Sequence, residues 1–297
     1  MNDYTPNISP QSKPRSKAKG YLYTLLAVTA ICIAVGALCS VLALDGETRY
    51  FTTQTASIAV LAVFALCTLL SIVALFVFGK SEVSTVNIKT SVAKRLIFPE
   101  FAMMTVCTYF VLQPVAKKMS NAAKNDGNDA ALTVIATALL LIALILGYLY
   151  SARFAFKNPS RTFISVMGIC RIVFFLYIIT TLYFDMVVEL NSPFKLIIQF
   201  SAVAAALQTC IEVRNVISGA SQRAYVAAKV LCATFGVLCF TLTCGAVAKG
   251  VPQPDSSYLI YAAYFATLAL FSAYEIVCIT RQSKPEAKEI SERNDEI

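Results

Sequence analysis

A chain of 297 residues that is 58% hydrophobic and only 14% charged, with a mean hydropathy of +0.68, has the composition of a protein in lipid. Soluble domains hold about 45–50% apolar and about 25% charged residues. The net charge of +8 does not indicate nucleic acid, because the lysines and arginines lie between apolar runs and not in a dense basic segment with interleaved aromatics. Histidine is absent, which removes Ser-His catalysis, histidine-ligated metals and helix-borne metalloprotease motifs together.

Residues 1–20 are polar and contain Pro6, Pro10, Pro14 and four basic residues; they read as a disordered, basic cytosolic tail. These basic residues lead into an apolar run with no small-residue cleavage site, so the first span is expected to stay as a signal anchor. A helix needs about 20 apolar residues to cross the roughly 30 Å hydrocarbon core. Eight such spans are expected, at 21–44, 54–78, 96–115, 130–150, 161–190, 195–217, 224–248 and 257–280. Together they form one transmembrane helical domain over 21–280, followed by a charged cytosolic tail over 281–297. Helices are required because these runs are about twice the length of barrel strands and lipid offers an open backbone no partner.

In the first span, Ala30, Ala34 and Ala37 are spaced to admit a neighbouring helix. Gly79-Lys80-Ser81 after the second is a helix stop, since a phosphate loop would need glycine where Ala74 stands. The third span is bracketed by Pro99 and Pro114. Pro99 suits a first helical position and Glu100 a first-turn acid, with a functional carboxylate as the alternative for Glu100. The fourth span is aliphatic and reads as lipid-facing scaffold. The fifth run is long enough to tilt or extend beyond the core, and it places Arg171 deep.

The sixth span carries Ser201, Ala205, Gln208 and Glu212 on one face, and the seventh carries Lys229, Ala233, Gly236, Phe240, Thr243 and Val247. In the eighth, Ser257, Tyr261, Tyr264, Leu268 and Glu275 fall in one sector that should face protein. Arg171, Glu212, Lys229 and Glu275 form the candidate intramembrane charge cluster, each acid expected to meet one of the two bases. For Arg171 and Lys229 the competing expectation is snorkelling to the headgroups. Ser201, Gln208, Tyr261 and Tyr264 are the candidate cavity lining. Tyrosines near span ends, among them Tyr21, Tyr23, Tyr148, Tyr150, Tyr183, Tyr225 and Tyr258, fit an interfacial belt in a chain without tryptophan. The ten cysteines all lie inside apolar spans and read as small hydrophobes.

With a cytosolic N-terminus, seventeen lysines and arginines fall on the cytosolic side and six outside, so both termini are expected in the cytosol. The expectation is an all-α, polytopic helix bundle in the cell membrane, with no metal, cofactor or nucleic acid. Lipid is its surroundings, and a membrane-protein partner or a second copy its expected company. The loops leave no room for a soluble catalytic domain, so the protein is expected not to be an enzyme. The expected function is small-solute or ion transport through a cavity lined by the C-terminal four helices. The alternative is a non-transporting accessory, assembly or sensory subunit whose charges only fix helix packing.

Overall fold

The computed structural model describes residues 15–45, 50–78, 90–122, 128–151, 160–184, 192–250 and 257–282. Eight long helices occupy them: α1 (Arg15–Leu38), α2 (Gln54–Val77), α3 (Thr90–Ala122), α4 (Asn128–Ser151), α5 (Arg161–Phe184), α6 (Pro193–Ser218), α7 (Gln222–Ala248) and α8 (Ser257–Gln282). A π-helical turn, Cys39–Ala43, extends α1. Among the described residues there is no strand, only an isolated bridge between Leu44 and Phe51. The protein is a polytopic α-helical bundle, and among the described residues seven helices, α3 not one of them, are long and apolar enough to cross a membrane. The expectations for residues 1–14, for Gly79-Lys80-Ser81, for the fifth span beyond Phe184 and for the tail beyond residue 282 lie outside the described residues, while residues 15–20, expected in the N-terminal tail, are instead the start of α1.

Six helices close into a ring. Each of α3 to α8 packs on the next, and α8 returns to α3. Their connections are short beside helices of 24 residues or more, so successive helices run antiparallel. The α1–α2 hairpin packs outside this ring, against α7. Between that hairpin and α6 and α8, α7 is the most enclosed candidate span, with 67% of its apolar window buried, against 17% for α4. The lipid-facing reading of α4 therefore holds along most of its length.

Small residues set the close approaches. A Cβ on Gly147 of α4 would lie 2.9 Å from the Cys170 carbonyl oxygen and 3.0 Å from the Arg171 backbone, so α5 packs on α4 at the level of Arg171. Gly236 of α7 meets the backbone of Phe265 on α8 in the same way, as the small face of the seventh span predicts. Of the alanine stripe expected to pack in α1, Ala30 and Ala34 are exposed and only Ala37 is half-buried; the buried face is Tyr21, Leu25, Val28, Cys32 and Cys39. Tyr21 donates its hydroxyl to the Leu70 carbonyl at 2.7 Å, and Gly36 packs against Thr241.

Candidate functional site

Every helix of the ring sends a polar side chain into its interior. Glu100 comes from α3, Tyr150 and Ser151 from α4, Arg171 from α5, Gln208 and Glu212 from α6, Tyr225 and Lys229 from α7, and Tyr264, Ser272 and Glu275 from α8. The five charged members are enclosed, with exposures of 1% for Glu100, 3% for Arg171, 7% for Glu212, 1% for Lys229 and 4% for Glu275. Burying a charge without a partner is far costlier than burying it paired, so convergence is what allows these groups inside.

Two layers can be distinguished. In the shallower one, the Lys229 ammonium ion-pairs with both Glu212 and Glu275. These three lie about two turns from the helix ends that meet at the α6–α7 connection and at the end of α8. Gln208 donates to Glu212 Oε1 at 3.0 Å and accepts from Ser272 Oγ at 2.8 Å. Tyr225 donates to Glu275 Oε1 at 3.2 Å. The ammonium lies 5.2 Å from the Tyr225 ring centroid and 5.6 Å from that of Phe271, so aromatic faces cover what the carboxylates do not.

In the deeper layer, Arg171 Nη2 donates to Glu100 Oε1 at 2.8 Å and to the Tyr264 hydroxyl at 2.9 Å, while Nη1 approaches Ser151 Oγ at 3.5 Å. The guanidinium stacks 5.3 Å from the Tyr150 ring centroid and 5.6 Å from that of Phe175. Two buried atoms, Glu100 Oε2 and Arg171 Nε, make no hydrogen bond. Tyr150 joins the layers: its ring lies under Arg171 and its hydroxyl donates to Glu212 Oε2 at 2.9 Å. The result is one continuous polar chain from Glu275 through Lys229, Glu212, Tyr150 and Arg171 to Glu100.

All four residues of the expected charge cluster are in this network, but the pairing differs from one acid per base. Lys229 takes both Glu212 and Glu275, and Arg171 takes Glu100. Neither base snorkels, since both are buried in ion pairs. Glu100 is not a first-turn acid, because α3 begins at Thr90 and Pro99 lies inside the helix. It is instead buried within α3 in an ion pair with Arg171.

Of the expected cavity lining, Gln208 and Tyr264 belong to the network. Ser201 instead donates to the backbone carbonyls of Ile197 and Phe235, joining α6 to α7, and Tyr261 is buried on α8. Sequence reading missed Tyr150 and Tyr225, which it placed in the interfacial belt; Tyr23 and Tyr183 are exposed and fit that belt. A tyrosine at a span end has the same local sequence in either role, and only the packing of α4 on α5 and of α7 on α8 distinguishes them. Lys195, which opens the expected sixth span, is also buried, in the first turn of α6. Among the described residues no cluster of three metal-ligating side chains occurs.

In comparisons with known proteins, no family model, no curated protein and no solved structure matches the chain.

Proposed function

We propose that this protein moves a small solute or an ion across the cell membrane, using the polar interior of the α3–α8 ring as its binding site. The observation that carries this reading is the convergence of three carboxylates and two cations, all buried, from five helices of one membrane bundle. Ionisable groups within membrane helices are expensive, and where they face the bundle interior they mark a substrate or ion path by default. The connected chain from the shallow to the deep layer gives such a path a direction. The reading is non-enzymatic, as the missing histidine and the short loops suggest.

One observation favours the accessory-subunit reading. No proline interrupts α5, α7 or α8, and that of α6 stands at its start, so these helices lack the broken segments by which many transporters hold their cargo. Closed ion pairs on continuous helices can serve to fix helix register.

A thermal-shift screen of the purified protein in mild detergent, across small charged solutes and inorganic ions, separates the two. Under the transport reading, one solute class stabilises the wild type and not the Lys229→Gln/Glu275→Gln variant, and the same class exchanges across proteoliposomes. Exchange of none of the tested classes by a folded wild type, together with equal behaviour of the two proteins in the screen, would favour the accessory role.

A further inference from the structure

We propose that Glu212 and Glu275, held against the shared ammonium of Lys229, form a proton-binding site that takes up and releases one proton. As the identity of a coupling ion this deepens the transport reading and rests on it; as a binding site it stands on geometry alone.

Both carboxylates contact one nitrogen, so they are close like charges in an enclosed interior. Two carboxylates sharing a site resist being ionised together. Charged and titratable groups face them from several of the surrounding helices. From α3 comes Glu100, from α5 Arg171, and from α7 Lys229 itself, with the neutral groups Tyr225 and Cys232. The phenols Tyr150 and Tyr264 come from α4 and α8. On its outer side α7 meets the hairpin, whose buried ionisable side chains among the described residues are Tyr21, Cys32, Cys39 and Cys67, all neutral in ordinary conditions. Among the described residues three carboxylates therefore face two cations. Arg171 ion-pairs with Glu100, while Glu212 and Glu275 share the one ammonium of Lys229.

Taking up a proton relieves the repulsion between the two carboxylates. A proton added to Glu275 converts its carboxylate to a neutral acid, with a new O–H bond and no leaving group. Lys229 keeps its three hydrogens and its full pairing with Glu212. The same step on Glu212 leaves Lys229 paired with Glu275. The site also has a route to one membrane face, because Tyr225, in the first turn of α7, is only partly buried and hydrogen-bonds Glu275. Gln208, itself held by Ser272, fixes the orientation of Glu212 on the opposite side.

The test is pH-difference infrared spectroscopy on the full-length protein in lipid nanodiscs, with fold checked by gel filtration. Acidification is expected to produce the carbonyl band of a neutral, poorly hydrated carboxylic acid. That band should be lost or displaced in both Glu212→Gln and Glu275→Gln. In Lys229→Gln it should persist to a proton concentration at least about tenfold lower, because the cation favouring two ionised carboxylates is gone. No band in the folded wild type, or a band unchanged by all three substitutions, would overturn the site. A band that behaves as expected in a protein showing no flux in proteoliposomes keeps the site and overturns the transport reading. Flux without the band overturns only the site.

Discussion

At the scale of single residues, the two cations differ in how much each depends on one partner. Arg171 has one carboxylate, Glu100, so Arg171→Gln strands a buried charge, at an expected cost of about 3–5 kcal/mol. The double change Arg171→Gln/Glu100→Gln removes both charges and should cost much less. Thermal unfolding in mild detergent checks this, and a double variant as unstable as the single one would count against a buried, isolated pair. Lys229 behaves otherwise, because it has two acids. Glu275→Gln leaves Lys229 matched to Glu212 and should lower stability little, whereas Lys229→Gln leaves two carboxylates facing each other and should lower it far more. One acid per base would instead predict losses of similar size from either substitution, so the ratio of the two losses reads out the pairing.

At the scale of elements, helix positions were legible and helix neighbours were not. Expected spans such as 54–78, 224–248 and 257–280 correspond to α2 (Gln54–Val77), α7 (Gln222–Ala248) and α8 (Ser257–Gln282), because length and apolarity alone define a membrane helix. The stripes Ser201, Ala205, Gln208, Glu212 on α6 and Tyr261, Tyr264, Leu268, Glu275 on α8 are buried as helical periodicity implies. The third element was the least legible. Its span was expected at 96–115, yet α3 runs from Thr90 to Ala122 with Pro99 and Pro114 inside it. A proline removes one backbone donor, which ends most helices in water; a membrane helix tolerates the loss when neighbouring helices or local adjustment satisfy the freed group. The contact of α4 with α5 gives a test at this scale. Gly147→Ala would press a methyl group against the Cys170 and Arg171 backbone, which cannot rotate away, and should cost about 1–3 kcal/mol. Gly20→Ala in α1, where a Cβ meets nothing within 4 Å, should be neutral or stabilising by up to about 1 kcal/mol. Comparable thermal shifts for the two variants would contradict the close approach of α4 and α5.

For the whole molecule, composition was enough to identify a membrane bundle, but ring closure depends on side chains distant in sequence and left no local signature. Arg171 and Glu100 are 71 residues apart, and no periodicity within either helix joins them. The same α3 that supplies Glu100 also decides the topology. With eight crossings both termini lie on one side, as the count of basic residues requires; with seven they lie on opposite sides. Among the described residues α3 is not one of the seven apolar candidates, and it carries Glu100, Gln113, Pro99 and Pro114. Its packing supports a crossing. Glu100, Met104, Cys107, Val111 and Val115 form one buried stripe, about 22 Å long at 1.5 Å per residue, against α4 and α8. Phe98, Val106 and Tyr109 are exposed, as side chains facing lipid would be. A helix that accompanies two membrane helices over most of the hydrocarbon thickness is expected to cross with them. Single cysteines at Ser84 and Asn125, which flank α3 in sequence, test this in a background lacking the ten native cysteines. An impermeant thiol reagent applied to intact cells should label Asn125→Cys, and should label Ser84→Cys only after the cells are opened. Labelling of both from one side would make α3 a re-entrant element. It would place the termini on opposite faces and require the depth of the Lys229 layer to be assigned anew.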